Sequence, residues 1–330
     1  MKIKYIQTLI LAKLFASVAT LIFFQYFIGW DMFTYPDFYK TYNNCTENTA
    51  VNILYAQLFC NLSEITGYEY SHRSLFFIFL AMIINMGILI SYFKIFEKYF
   101  TGNAKILLIL VLVIHPYMNI YFFRFYTEIF ASLGILMMFV YAINNKQINL
   151  FFLLSAFVLM NFRIALIPAF IAYGFLEIYT NHKLNSKKIY GGFSLLLLAL
   201  ISYLPVIDFG TFFININSEV NFFEKIFKNI IYMFGFRESV ALSDSLMVFG
   251  DGISLISYIT SVMLLIIHML GVIGIFKFAK FYNAKILIVL IYLIVPIFGI
   301  SHMRYLLPLM PILLFGFTYL VFSSKSMKSI

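Results

Sequence analysis

Two carboxylates lie where the first apolar segment of the chain ends, and they could act in acid–base chemistry. The stretch GWDMFTYPDFYKTY, residues 29–42, holds Asp31 and Asp37 among aromatic residues. Because the chain has only 14 acidic residues in 330, their position asks for an explanation. A carboxylate that aromatic neighbours shield from water can serve as a general base. Capping of a helix, or an ion pair with a nearby arginine, is the structural alternative for Asp31.

A second polar group lies in HPYMNIYFFRFYTEIF, residues 115–130. Arg124 and Glu128 are four residues apart, so they would share one face of a helix. This spacing fits either an ordinary ion pair at the level of the lipid head groups or part of a binding site. His115 and Asn119 share the same spacing near the end of the preceding apolar segment, where a histidine is more often a hydrogen-bonded structural residue.

Two further segments bring polar side chains close to apolar helices. NFRIALIP, residues 161–168, places Arg163 at a turn, and SHMRYLLPLMP, residues 301–311, holds His302, Arg304 and Tyr305. The planar guanidinium of arginine suits bidentate recognition of a phosphate or a carboxylate. These arginines are therefore candidate ligands of an anionic group.

The composition predicts that these residues are carried by an all-α, polytopic transmembrane helix bundle. The chain is 63% hydrophobic and 11% charged, with a mean hydropathy of +0.94, which excludes an ordinary soluble domain. Apolar stretches long enough to cross a bilayer recur along its length, so residues 1–330 are interpreted as a single transmembrane domain. We predict about ten spans, with nine or eleven also compatible: 5–29, 73–95, 105–122, 125–143, 148–162, 164–180, 189–207, 253–274, 285–300 and 305–322.

The basic residues predict the orientation of these spans. With Met1 in the cytoplasm, most of the 23 basic residues, Lys13 among them, fall on the inner side, as the positive-inside rule requires. On this side every basic residue is a lysine, whereas all five arginines fall outside: Arg73, Arg124, Arg163, Arg237 and Arg304. The net charge of +9 is thereby explained without nucleic acid. We find hardly any charge at the predicted midplane, which favours chemistry at the outer interface.

Two long outer loops are predicted, at residues 30–72 and 208–252. In the first loop, apolar residues recur at three- and four-residue steps, which predicts an amphipathic helix at the membrane surface. A second such helix is predicted around FFEKIFKNIIYMF, residues 222–234, in the second loop. Cys45 and Cys60 both lie in the first loop, and either a disulfide or two unbonded thiols fits their placement. No spacing of a zinc or haem site occurs, so no cofactor is predicted, although a divalent metal is compatible with the sequence.

The combination of these motifs resembles the GT-C superfamily of polytopic membrane glycosyltransferases. The resemblance rests on the acid after the first span, on RFYTE at residues 124–128, on Arg163 before an apolar helix, and on RYLLPLMP at residues 304–311. It covers scattered motifs of about 60 residues in all. The chain departs from the family in having Met32, not a second acid, after Asp31, and in lacking the additional spans of many members.

The resemblance implies an enzyme of bacterial surface-polysaccharide assembly in the inner membrane. Its donor would be a sugar on a polyprenyl phosphate or diphosphate, and its acceptor a glycan or a lipid-linked glycan. In this family the acid of the first loop acts as general base or positions the acceptor, a role that falls to Asp31 and secondarily to Asp37. Arg304, Arg163 and Arg124 would bind the donor phosphate, with Glu128, His302, Tyr305 and His115 in support.

Three other functions remain compatible with the sequence. A Wzy-type or EpsG-like polymerase, which joins lipid-linked repeat units, has a similar length and composition. A flippase or transporter for lipid-linked glycans would favour internal repeats and charges along a central cavity. A non-catalytic scaffold would leave the outer arginines without a role.

Overall fold

The computed structural model describes residues 2–28, 75–123, 127–181, 186–203, 251–294 and 303–322, with single residues at 226, 230, 234 and 297. These residues form helices and turns, and no strand occurs among them. The all-α fold is therefore confirmed for this part of the chain. Both predicted outer loops lie outside the described residues, apart from Ile226, Ile230, Phe234 and residues 251–252, which begin α9. The single-domain interpretation stays a prediction.

Ten α-helices occur in the described residues. They are α1 (Lys2–Ile28), α2 (Leu75–Phe96), α3 (Gly102–Ile114), α4 (Pro116–Ile120), α5 (Thr127–Ile143), α6 (Leu150–Phe162), α7 (Ile167–Asn181), α8 (Ser186–Tyr203), α9 (Asp251–Phe281) and α10 (Met310–Phe322). Three 3-10 helical segments accompany them: Ile164–Leu166, Ala284–Leu293 and Met303–Leu306.

Three helices in the described part of the chain are long and apolar enough to cross a membrane. Their apolar windows are Tyr5–Ile22, Ile78–Phe96 and Val262–Phe281. Six shorter apolar segments accompany them: Gly102–Ile114, Thr127–Ile143, Leu150–Phe162, Ile164–Thr180, Ala284–Leu293 and Met310–Phe322. A helix satisfies its own backbone hydrogen bonds and so can lie in hydrocarbon. The helices indicate a membrane protein, while the number of ten spans stays a prediction.

The third predicted span, 105–122, is interrupted in the structure. α3 ends at Ile114, and α4 begins at Pro116 after a non-helical residue, His115, with φ −53° and ψ 113°. Proline lacks an N–H and disfavours helical backbone at the residue before it. The His115 side chain caps the start of α4: its Nδ1 accepts a hydrogen bond of 3.3 Å from the backbone N–H of Met118.

The last two predicted spans also differ from regular α-helices. Residues Ala284–Leu293 of the span 285–300 are 3-10 helical, and the span 305–322 becomes α-helical only at Met310. Pro308 and Pro311 account for the late start, because a proline is tolerated in the first turn of a helix but not inside it.

Aromatic rings from α2, α9 and α10 form one buried contact near the turn that precedes α3. The ring centroids of Phe96 and Phe315 are 4.3 Å apart in a stacked arrangement, and those of Phe278 and Phe315 are 4.8 Å apart, edge to face. Tyr99 contacts Phe278 edge to face at 5.1 Å. Such pairs add to the packing energy of their buried area, so they fix these helices relative to one another.

Glycines allow α9 and α10 to pack backbone against backbone. A side-chain carbon at Gly274 would collide with the carbonyl oxygen of Gly316, and one at Gly271 would collide with the carbonyl oxygen of Leu313. Small residues at a helix contact are typical of membrane proteins, where close packing stabilises helix association. The α9–α10 contact therefore depends on these glycines.

We expect Gly274→Ala to destabilise the chain by about 1–3 kcal/mol, because the added methyl group meets backbone that cannot rotate away. Gly87→Ala is the matched control, since a side-chain carbon at Gly87 in α2 would have no atom within 4 Å. It should leave stability unchanged or raise it by up to about 1 kcal/mol through helix propensity. Unfolding in mixed detergent micelles measures both, and equal stability of the two variants would contradict the described α9–α10 packing.

Candidate functional site

Arg163 and Glu128 form the central ion pair of the candidate site. The guanidinium Nη2 of Arg163 lies 3.4 Å from Glu128 Oε1, and Nη1 donates a 3.0 Å hydrogen bond to Thr127 Oγ1. Thr127 in turn donates to Glu128 Oε2 at 3.2 Å. The side chains of Arg163 and Glu128 are only 11% and 5% exposed. The pair is therefore a buried unit and not a surface contact.

The local backbone explains how these side chains meet. Thr127 and Glu128 open α5, where the unpaired N–H groups of the first turn favour a negative charge. Arg163 follows α6 in extended conformation, with φ −145° and ψ 96°. Since α5 and α6 are joined by a short turn at their far ends, they run in opposite directions, and Arg163 returns to the level of Glu128.

Two tyrosines complete the cluster around Arg163. The guanidinium carbon lies 4.9 Å from the ring centroid of Tyr305, which is a cation–π distance. Tyr305 belongs to the 3-10 segment Met303–Leu306. Tyr292 is fully buried and lies near Arg163 and Glu128. We call Thr127, Glu128, Arg163, Tyr292 and Tyr305 the arginine cluster.

A cavity lies beside the arginine cluster and shares Glu128 with it. Its volume is about 60 Å³, and it is partly open to the outside. Its polar wall comprises Lys13, Asn85, Glu128 and Ser132, and much of the remaining wall is apolar, including Ile88, Leu89, Met118, Ile129, Leu307 and Pro311. A pocket of mostly apolar lining with a few convergent polar groups is typical of ligand sites.

Lys13 contributes a charge inside the bundle. It was expected among the cytoplasmic lysines, and the structure corrects that interpretation: the residue is 1% exposed and lies within the apolar window Tyr5–Ile22. Its ammonium donates to the carbonyl oxygen of Leu112 at 3.0 Å and to Asn119 Oδ1 at 2.5 Å. The reason is that α1 begins only at residue 2, so residue 13 lies roughly 16 Å along the helix.

A pair of histidines lies at the break between α3 and α4. The Nε2 atoms of His115 and His268 are 3.0 Å apart, and both rings are buried. Because His115 Nδ1 accepts from Met118, its proton is assigned to Nε2, which donates to His268 Nε2. His268 Nδ1 then donates to the carbonyl oxygen of Phe234 at 3.3 Å. Every ring nitrogen has a partner, so the pair links α9 to the break as a structural contact.

Two more ion pairs lie at the end of the bundle opposite to the arginine cluster. Lys285 donates to Glu177 Oε1 at 2.6 Å, and Lys105 donates to Glu97 Oε2 at 2.6 Å. Glu177 is 1% exposed, so its pair with Lys285 ties α7 to the 3-10 segment Ala284–Leu293. Both pairs involve residues that the sequence assigns to the inner side.

The predicted site residues fall into two groups. Arg163, Glu128 and Tyr305 lie together in the arginine cluster, while His115 lies apart from them, with His268. Asp31, Asp37, Arg124 and His302 lie outside the described residues, as do both cysteines and the side chain of Arg304. The pairing of Glu128 with Arg124 stays a prediction, and the structure shows a contact of Glu128 with Arg163.

Three polar residues of the interior were missed by sequence reasoning. Lys13 was assigned to orientation, and Asn85 and His268 were not considered. Their signal was available, because an ionisable or amide side chain within an apolar span is expensive to bury and usually has a role. Among the described residues no group of three metal-ligating side chains occurs.

Comparison of the chain with protein-family models, with curated proteins and with solved structures gave no match.

Proposed function

We propose that the chain is a membrane-embedded glycosyltransferase of bacterial surface-polysaccharide assembly. The observation that carries the proposal is the convergence of three motifs that are distant in sequence. RFYTE contributes Thr127 and Glu128, the turn after α6 contributes Arg163, and RYLLPLMP contributes Tyr305 to one cluster. Leu307 and Pro311 of the last motif line the adjoining cavity.

The proposed reaction transfers a sugar or glycan from a polyprenyl phosphate or diphosphate to an acceptor hydroxyl. Arg304 and Arg163 hold the donor phosphate, with Arg124 in support, and Asp31 removes the proton of the attacking hydroxyl. The bond between the anomeric carbon and the phosphate oxygen breaks, and the lipid phosphate leaves with its charge compensated by arginine. Stabilisation of charge in the transition state supplies much of the acceleration.

The test is deletion of the gene in its native host, followed by mass spectrometry of the polyprenyl-linked glycans. We expect accumulation of an intermediate that lacks one sugar, and wild-type chain should restore the complete glycan. Arg304→Lys should not restore it, because lysine keeps the charge but loses the two-pronged geometry that binds phosphate. Lys187→Arg, on the exposed face at the start of α8, is the control that should restore it.

The same measurement separates the alternatives. Single complete repeat units that are no longer joined would indicate a polymerase. A complete intermediate that stays on the cytoplasmic leaflet would indicate a transporter. An unchanged pool of lipid-linked glycans would refute all three functions.

The proposal also requires a defined orientation, in which ten spans place Met1 in the cytoplasm and the arginine cluster towards the periplasm. The two lysine–glutamate pairs at the opposite end support it, since lysine is the residue of the inner loops. After replacement of both native cysteines by serine, single cysteines at Asn185 and Ser243 should be labelled from opposite sides. Labelling of both by the same impermeant reagent in intact cells would overturn the orientation.

A further inference from the structure

The segment Ala284–Leu293 is a 3-10 helix of unusual length. It extends over 10 residues, whereas 3-10 helices longer than about three or four residues are uncommon, because their hydrogen-bond geometry is poorer than that of an α-helix. Its sequence contains no glycine or proline that would prevent an α-helix. Contacts with the rest of the bundle must therefore stabilise the 3-10 form.

The buried side chains of the segment suit either kind of helix. The buried residues are Lys285, Ile286, Ile288, Val289, Tyr292 and Leu293. With about 3.0 residues per turn, Ile286, Val289 and Tyr292 form one row along a 3-10 helix. With about 3.6 residues per turn, all the buried residues would lie within an arc of roughly 160° on an α-helix. Both forms can therefore direct the same residues towards the core.

Polar contacts fix the start of the segment. Lys285 Nζ donates to Glu177 Oε1 at 2.6 Å, and Asn283 Nδ2 donates to the carbonyl oxygen of Ala142 at 2.7 Å. Asn283 Oδ1 also accepts a hydrogen bond of 3.0 Å from the backbone N–H of Lys285. These contacts hold the start of the segment against α7 and α5.

Tyr292 fixes the other end of the segment in the arginine cluster. It is fully buried and lies near Arg163 and Glu128. The rise from Lys285 to Tyr292 is about 14 Å in a 3-10 helix but only about 10.5 Å in an α-helix. The direction of the Tyr292 side chain about the helix axis would also differ by about 140°. With Lys285 held in place, the position of Tyr292 in the arginine cluster therefore requires the 3-10 form.

We propose that Ala284–Leu293 is a conformational switch, which the contacts at its two ends hold in the 3-10 form. Release of either end lets the segment become α-helical, which shortens it by about 5 Å. A rearrangement of the arginine cluster that displaces Tyr292 is thereby transmitted to the pair of Glu177 and Lys285 at the opposite end of the bundle. This coupling does not depend on which reaction the cluster performs.

Distances between spin labels test the switch, measured by pulsed electron paramagnetic resonance on the full chain in proteoliposomes. Both native cysteines are first replaced by serine. Labelled cysteines are then introduced in two pairs, at Phe281 with Ile294 and at Phe276 with Ile294, all of which are exposed. Phe276 and Phe281 lie about 140° apart around α9, so the changes in rise and rotation cannot cancel in both pairs.

We expect the chain without further substitutions to give the distances of the 3-10 form. Tyr292→Leu should shift both distances to those of the α-helical form, because leucine cannot replace the tyrosine ring in the arginine cluster and is a good helix former. Tyr92→Leu, which removes another fully buried tyrosine, in α2, is the matched control and should leave both distances unchanged. The double variant with Glu177→Gln and Lys285→Met removes the ion pair at the other end and should also give the α-helical distances.

The melting temperature of each variant verifies that it is folded. If Tyr292→Leu does not fold, the double variant decides, since replacing both charges of a buried pair leaves neither unpaired. Unchanged distances in the folded variants would overturn the switch. Distances of an α-helix in the chain that keeps Tyr292, Glu177 and Lys285 would overturn it as well. The proposed transferase function would stand in either case.

Discussion

Asp31→Asn is expected to slow sugar transfer by about 10²–10⁴-fold, the usual contribution of a general base. Asn has nearly the shape of Asp and still forms hydrogen bonds, but it cannot take the proton of the acceptor hydroxyl. In the proposed reaction the polyprenyl chain of the donor stays in hydrocarbon, so a base for sugar transfer is expected at the interface. Asp31 comes three residues after α1 ends at Ile28, and the aromatic residues Trp30 and Phe33 are its neighbours in the sequence.

The measurement is the rate of transfer in membranes that carry each variant, with lipid-linked acceptor extracted from the deletion strain. Asp37→Asn is the matched control and should cost less, because Asp37 is proposed only to orient the acceptor. A fully active Asp31→Asn beside an inactive Asp37→Asn would assign the base to Asp37. Full activity of both, at wild-type expression, would show that the carboxylates are structural.

Part of the candidate site could be predicted, because polar residues beside apolar segments can be recognised in the sequence. Arg163, Glu128 and Tyr305 were selected from the sequence as polar groups beside apolar helices, and all three lie in the arginine cluster. Their pairing was not predictable. Sequence spacing links Glu128 to Arg124 within one helix, whereas its contact with Arg163 depends on how α6 packs against α5.

Lys13 shows why the cavity could not be predicted. Counting basic residues gives the orientation of a chain, but it treats each lysine as a charge in a loop. Residue 13 lies within the predicted span 5–29, so its place in the bundle was available from the sequence, but its partners in the cavity were not. The contact with Asn119 further depends on the break between α3 and α4.

The helix boundaries were predictable only where a residue imposes them. Pro116 marks the break between α3 and α4, and Pro308 and Pro311 mark the start of α10, so these features could have been read from the sequence. The 3-10 conformation of Ala284–Leu293 has no such signal. Its residues are apolar throughout and fit an α-helix equally well, so packing within the bundle determines the difference.

Arg163→Met is expected to lower the free energy of unfolding by about 3 kcal/mol or more, because it leaves the carboxylate of Glu128 buried without this counter-charge. Glu128→Gln should have a smaller effect, since arginine retains Thr127 and Tyr305 as neighbours. The double variant should recover most of the stability lost by Arg163→Met, because it removes the buried carboxylate together with its counter-charge. Unfolding of the purified chains in mixed micelles measures all three.

The double variant also separates a structural role of the pair from a role in transfer. If Arg163 holds the donor phosphate, the variant with Arg163→Met and Glu128→Gln should be nearly as stable as wild type and still fail to transfer sugar. The positive charge of Arg163 is then missing at the place where negative charge develops on the leaving phosphate. The single variant Arg163→Met, which keeps Glu128, should be equally inactive. Arg163→Lys should retain a small part of the transfer rate through its charge alone. Wild-type transfer by the stable double variant would show that the pair only fixes α5 against α6, and phosphate binding by Arg163 would be refuted.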